Sequence, residues 1–347
     1  MSGIVGLSNL GNTCFMNSAL QCLSHTKELR ELFLNKKIIE YSFLKNNPKI
    51  ETSVTKEWVR LMEGMWKPRD NDIAKSIRPV SFRKAFIQYV LKKNIEQFRG
   101  FSQNDVQEFL LLIIDILHTS VCREVDVSIT GKIKNDIDKM AVEAAKTWKN
   151  YFKSNYSEII TLFYGQVCSS LIHNKTNEVV SRSFDPICHF QLPIPDTEMF
   201  EAANIEPSLY DCFDLFTEEE SLEGLDYTWK NKKIQVNKHM QFWKFPKILM
   251  ITLKRFTNEL HKSNTYIDFP LEELDVSDYC IGYEKDVIYD CYGVCNHSGG
   301  LRGGHYYAYC LCEDGQWREF NDAMVRNISK SNVISQHAYV LFYRKRE

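Results

Sequence analysis

Gly6-Leu-Ser-Asn9-Leu-Gly11-Asn12-Thr-Cys14-Phe-Met-Asn17-Ser18 is the stretch from which the rest of the chain can be read. Gly11 permits a tight or left-handed backbone, and Asn-Thr then leads into a helix. Met16, Leu20 and Leu23 recur along one apolar face of that helix. Cys14 falls in its first turn, where unpaired N–H groups and the helix dipole favour negative charge. Such a position lowers a thiol pKa and would expose a thiolate. A buried cysteine packing as a small hydrophobe at a helix start fits the same segment.

A thiolate nucleophile needs a base and a group to orient that base. Gly303-Gly304-His305-Tyr306-Tyr307-Ala308-Tyr309 puts a histidine between two glycines and a strand. The glycines would let a substrate backbone approach closely. Phe320-Asn321-Asp322 follows a hairpin signal at Asp314-Gly315, and either polar side chain could hold the imidazole through its second nitrogen. An ideal two-residue hairpin there would pair residue 305 with 324, so contact with 321 requires a bulge or a bend.

Around these segments the N-terminal third reads as helical. Val106, Phe109, Leu110, Ile113 and Leu117 follow the 3.6 period, with Ser102 and Asp105 spaced as a capping box for the helix start. Residues 130–160 read as a further helix of mixed charge. From about 163 the pattern changes to strands. The run Lys247-Ile-Leu-Met-Ile-Thr-Leu-Lys-Arg-Phe256 predicts a buried central strand, and Tyr306–Cys312 with Trp317–Phe320 predict a hairpin. Pro193, Pro195 and Pro207 mark loops, and Glu218-Glu-Glu220 a solvated face. A helical lobe followed by a β-rich lobe is an α+β pattern. Neither repeats nor a long Gly/Ser/Pro linker divide the chain, whose length suits about two units or one large catalytic domain with insertions, helical to about 160 and β-rich over 161–347.

Composition narrows the function. The 347 residues carry 43 Lys+Arg against 45 Asp+Glu, a net charge of -2 that gives no electrostatic reason to expect nucleic acid or an anionic membrane as partner. The apolar run Phe109 to Ile114 ends at Asp115, far short of the ~20 residues that span a bilayer. The opening Met1-Ser-Gly-Ile-Val-Gly has neither the basic nor the apolar region of a signal peptide. Eleven scattered cysteines with no Cys-x-x-Cys pair do not form a disulfide framework. An intracellular, reducing location in cytoplasm or nucleus is therefore expected.

Taken together, the segments resemble the ubiquitin-specific proteases, papain-like cysteine peptidases that release ubiquitin. The opening stretch is similar to the family's cysteine box, and His297-Ser-Gly-Gly-Leu-Arg-Gly-Gly-His305-Tyr through Phe320-Asn321-Asp322 to its histidine box. Gln103-Asn-Asp105-Val-Gln107-Glu108-Phe-Leu resembles its glutamine-containing helix motif. The Pro246–Phe256 and Ala338–Tyr343 segments resemble its core strands. The resemblance runs from Gly3 to about Arg346 with the motifs in family order. It implies a papain-like fold with a helical thumb, a β-rich palm and a fingers insertion.

Residue by residue, the resemblance makes Cys14 the nucleophile, His305 the general base and Asn321 its orienting group, with Asp322 a second contributor. Asn9 would donate to the oxyanion together with the Cys14 backbone N–H. Gln103, Asp105 and Glu108 would line the channel for the ubiquitin tail, where a carboxylate can pair with an arginine of a Leu-Arg-Gly-Gly terminus. Asp105 equally suits the helix cap. His297, Gly303, Gly304 and Tyr306 are carried over as substrate-binding residues. Gly299–Gly304 resembles the loop before the catalytic histidine, and its Leu301-Arg302-Gly303-Gly304 repeats the tail tetrapeptide by coincidence.

One departure concerns zinc. Many family members bind it in the fingers through two Cys-x-x-Cys pairs. Here those pairs fall on His173 and Thr176 and near Trp229 and Lys232, too few soft ligands for a four-coordinate site. No metal and no cofactor are expected. The expected substrate is ubiquitin on ubiquitinated proteins. The same chemistry on another ubiquitin-like modifier, or an inactive ubiquitin-binding module, are the alternatives.

Overall fold

The computed structural model describes residues 3–34, 49–66, 76–100, 102–196, 198–222, 224, 227–256, 262–300 and 303–347. Leu301 and Arg302 of the tail-like tetrapeptide lie outside them. The helices are α1 (Cys14–His25), α2 (Lys27–Leu34), α3 (Ile50–Trp66), α4 (Val80–Lys92), α5 (Val106–Val121), α6 (Asp136–Phe152), α7 (Glu158–Phe163), α8 (Glu198–Ala203) and α9 (Leu209–Thr217). Two short strands, β1 (Gly6–Leu7) and β2 (Ser76–Ile77), pair in parallel. After residue 163 come β3 (Gly165–His173), β4 (Val179–Ile187), β5 (Phe190–Leu192), β6 (Glu220–Ser221), β7 (Tyr227–Trp229), β8 (Lys232–Ile234) and β9 (Val236–Lys244). They are followed by β10 (Ile248–Leu253), β11 (Leu274–Asp275), β12 (Ile288–Gly300), β13 (Gly303–Leu311), β14 (Trp317–Asn321), β15 (Met324–Asn327) and β16 (Ala338–Lys345).

The central element is an eight-stranded sheet in the order β15-β14-β13-β12-β16-β10-β5, with β11 beside β12. Its strands alternate between two cores. Ile248 and Met250 of β10, with Val340 and Phe342 of β16, pack into the core shared with the helices. Leu249 and Ile251, with Leu341 and Tyr343, face the second core on the opposite side. Both faces are covered, which is why these strands read as continuous apolar runs rather than as alternating ones. A separate four-stranded sheet, β4-β3-β9-β6, follows the helical part, with the β7–β8 hairpin at its end.

Helix α1 is buried on every side, all of Cys14–His25, rather than along the one stripe its spacing suggested. It is wedged between the sheet and the other helices, so even Asn17, Ser18 and Gln21 are enclosed and hydrogen-bonded. Helix α5 begins at Val106, later than the capping-box spacing implied. Asp105 itself is the N-cap, accepting from the Gln107 N–H at 2.7 Å, and Ser102 lies outside the helix. The 130–160 region resolves into α6, capped by Asn135, and α7.

The hairpin differs from the ideal register by one residue. Leu311 pairs with Trp317 and Ala308 with Phe320, around a loop closed by the Cys312 N–H to the Gln316 carbonyl. Beyond Ala308 and Phe320 the two strands part. Asn321 then turns through Asp322, at φ +50°, into β15. This parting supplies the bend that contact between 305 and 321 requires.

Candidate active site

Cys14 opens α1 and lies against β13, where it is 2% exposed. Burial pushes its thiol above the ordinary value. Hydrogen bonding from the Tyr306 backbone lowers it and the Asp322 charge raises it further. The helix terminus therefore does not present an exposed thiolate in this state. Desolvation of the charged form outweighs the helix-end contribution.

His305 stands on β13, half-buried, with Nε2 2.8 Å from Asn321 Oδ1. Asn321 Nδ2 donates to Glu319 Oε1 at 3.2 Å, which orients the amide with its oxygen toward the ring. Nε2 is then the N–H donor, and Nδ1 keeps the lone pair a base needs. Glu319 is 4% exposed and also accepts from Arg326 at 2.8 Å. The sequence reading missed this supporting carboxylate. Period-two spacing on one strand, 319 and 321, was the available signal.

Asp322 is engaged by two asparagines of the cysteine segment. It accepts from Asn9 Nδ2 at 3.0 Å and from Asn17 Nδ2 at 2.8 Å. Asn9 Oδ1 meanwhile accepts from the Gly11 and Thr13 N–H groups, so its Nδ2 is held as a donor and retains a second N–H. Asn17, on α1 with Cys14, is the other residue the sequence reading left without a role; it also donates to the Leu7 carbonyl. A Cβ at Gly6 would lie 2.4 Å from the Ala323 carbonyl oxygen, so only glycine lets β1 pass so close beneath this turn.

The expected substrate residues divide. Gln103, Asp105, His297 and Tyr306, with Asn104, Phe256 and Gly300, line a cavity of about 170 Å³. Glu108 and Gly303 are exposed and outside that lining; Glu108 accepts from Gln97 at 2.9 Å. Gln103 clasps Gly304, donating to its carbonyl at 2.7 Å and accepting from its N–H at 3.0 Å. A Cβ on Gly304 would come 2.2 Å from His297 Nε2, so glycine is required there. Asp105 both caps α5 and accepts from the Tyr339 hydroxyl at 2.8 Å, and burial raises its carboxyl pKa. His297 is 4% exposed with Nδ1 unpartnered, and burial pushes it down to about 4.

At the end of the four-stranded sheet, His173 meets Trp229 as an edge-on ring pair at 6.2 Å, and Lys230 lies 3.7 Å over Trp229. Trp229 and Lys232 are cross-strand partners in the β7–β8 hairpin. Of these side chains only His173 is of a zinc-ligating type. Among the described residues no group of three or more His, Cys, Asp and Glu side chains could hold a metal ion.

Residues 5–343 match the profile of the family described as ubiquitin carboxyl-terminal hydrolase. The chain belongs to this family. Human ubiquitin carboxyl-terminal hydrolase 2 is 35% identical over 352 residues, covering 98% of this chain and 55% of the relative. Human ubiquitin carboxyl-terminal hydrolase 21 is 33% identical, covering 99% and 62%. The chain thus spans little more than half the length of these human relatives. The chicken ubiquitin carboxyl-terminal hydrolase 2 is 36% identical, with 99% and 94% covered. Among solved structures, the Ubp8-containing SAGA module bound to ubiquitin aldehyde matches with a TM-score of 0.74 at 25% identity, over 100% of this chain and 70% of that one. The same module bound to monoubiquitin gives 0.75 at 26%, over 100% and 70%. The α+β, papain-like architecture expected from the sequence is the hydrolase family's fold. No described helix is long and apolar enough to cross a membrane.

Proposed function

We propose that this chain is a thiol-dependent deubiquitinating hydrolase, a single catalytic domain that cleaves the isopeptide or peptide bond after the C-terminal glycine of ubiquitin. The observation carrying this reading is the His305–Asn321 contact, 2.8 Å, on the strand that packs against the helix opened by Cys14. Family membership across residues 5–343 and structural likeness to ubiquitin-bound Ubp8 support it.

In this reading Cys14 attacks the carbonyl carbon of the modifier's last glycine. Because burial favours the neutral thiol, its proton passes to His305 Nδ1 as substrate arrives and replaces water in the cleft. The tetrahedral oxyanion is held by the second N–H of Asn9 Nδ2 and by the Cys14 backbone N–H in the first turn of α1. His305 then returns the proton to the departing lysine amine. Water, deprotonated by the same imidazole, hydrolyses the thioester and frees Cys14. Asn321, backed by Glu319, holds the ring in the required tautomer throughout, while Asp322 keeps Asn9 aimed.

The modifier's tail would occupy the cavity bounded by Gln103, Asp105, His297 and Tyr306, with Glu108 near its approach and Gly303–Gly304 as the adjacent strand backbone. An intracellular setting, cytoplasm or nucleus, fits eleven scattered cysteines with no Cys-x-x-Cys pair.

Ubiquitin carrying a C-terminal thiol-reactive group tests the reading, beside Cys14→Ala and a matched probe for another modifier. A ubiquitin adduct lost in Cys14→Ala supports nucleophile and substrate together. Labelling by the other probe alone would overturn the specificity. Labelling by neither, in folded protein that still binds ubiquitin, would leave a ubiquitin-binding module.

A further inference from the structure

Met324 is 68% exposed, the most exposed large apolar side chain among the described residues. Its place matters more than its exposure. Asn321 and Met324 are in-register partners that close the turn through Asp322 and Ala323. Directly opposed residues of antiparallel strands point to the same face, with Cβ atoms about 5 Å apart. Met324 therefore stands on the face where Asn321 holds His305.

The two sides of His305 differ. On the Gly304 side lie the Gln103 clasp and the cavity with Asp105, His297 and Tyr306. On the Asn321 side lie Asn9, Asp322 and Met324. If the modifier's tail fills the cavity, the bond to be cut lies at Cys14 and the leaving amine points toward Met324.

Two further features describe what this second side can hold. β15 is the outermost strand, with a sheet neighbour on one side only, so its other edge can accept an extended chain. Arg326, two residues on, is ion-paired with buried Glu319 at 2.8 Å, and the Asp322 carboxylate oxygens are engaged by Asn9 and Asn17. Met324 is the exposed apolar side chain these paired groups leave beside the site.

We propose that Met324 is a specificity-determining residue for the polypeptide carrying the acceptor lysine, favouring substrates with an apolar residue next to that lysine. This rests on the deubiquitinase reading above and adds the selectivity of its leaving-group side.

The test compares the native chain with Met324→Asp and Met324→Leu on three substrates. One is ubiquitin with a small fluorogenic C-terminal amide, which has no acceptor polypeptide. The others are ubiquitin isopeptide-linked to a lysine peptide flanked by Leu or by Asp. The native chain is expected to favour the Leu-flanked peptide by about tenfold in kcat/KM, the scale of one partly buried side chain. Met324→Leu should keep that preference and Met324→Asp should erase it, each rate being taken relative to the fluorogenic amide. Turnover of the amide with no preference in the native chain, or with the same preference in folded Met324→Asp, overturns this inference alone. No turnover of the amide by the native chain overturns the deubiquitinase reading and this one with it.

Discussion

Asn9 Nδ2 and Asp322 Oδ2 are 3.0 Å apart although 313 positions separate them in the chain. The Asp322 turn is locked from below as well, because the Leu7 N–H donates to its carbonyl at 2.8 Å. The turn after the histidine box therefore fixes the segment before the cysteine. The two halves of the site act as one hydrogen-bonded unit across the cleft.

Asn9→Ala should lower kcat by about 10²–10³, the usual cost of one oxyanion donor, with a smaller change in KM. Asp322→Ala, which frees Asn9 and Asn17 to move and removes a charge near Cys14, should cost about 10–10². Steady-state kinetics on a fluorogenic ubiquitin amide measure both. Asp322→Ala losing more than Asn9→Ala would show that Asp322 acts by some other route.

The raised Cys14 pKa predicts a sluggish resting thiol. Its alkylation by iodoacetamide, followed on the Cys14 peptide by mass spectrometry, should be slow at pH 7 and still climbing at pH 9. Since the Asp322 charge contributes to the shift, Asp322→Asn should move the curve to lower pH. A plateau already reached at pH 7 in the native chain would mean a preformed thiolate.

Asp105 and Glu108 should separate stability from binding. Asp105→Ala removes the α5 cap and the acceptor for the Tyr339 hydroxyl, so it should cost on the order of 1–2 kcal/mol of stability as well as raising KM. Exposed Glu108→Ala should raise KM for ubiquitin substrates with little change in Tm. Thermal melts beside KM values decide, and an unchanged KM in Glu108→Ala would remove it from the tail path.

Burial holds His189 at about 4, as it does His297. Their folded-state values lie below the unfolded 6.5, so the unfolded chain binds more protons between the two. Stability from these groups is complete above about pH 6.5 and is lost as pH falls toward 4. His189 Nε2 and Thr252 Oγ1 share a hydrogen bond of 2.6 Å. Lowering the pH from 7 to 5 should reduce Tm, and His189→Asn should shrink that fall by about 2–3 °C. An equal fall in the variant would assign the acid sensitivity elsewhere.

The helical start and the change to strands near 163, the buried β10, the hairpin at Asp314-Gly315 and the identity of Cys14, His305 and Asn321 as candidates were legible in the sequence, whereas α8 and α9, set among the strands, were not. Each depends on neighbours within a few positions: an apolar period, a turn dipeptide, a motif. The α5 cap was misread by one turn because Ser102 and Asp105 both satisfy the local spacing, and only the helix packing selects between them. The roles of Glu319 and Asn17, and the direction in which Asp322 points, depend on which residues the fold brings alongside.

The state of Cys14 divides along the same line. Its chain position alone assigns it a helix N-terminus, which favours thiolate. Enclosure of α1 by the sheet and the surrounding helices decides that the thiol is desolvated and set near the Asp322 charge, which favours the proton. Short-range pattern determines which groups the chain carries and in which elements. The dielectric around them, and their partners hundreds of positions away, exist only once distant segments pack.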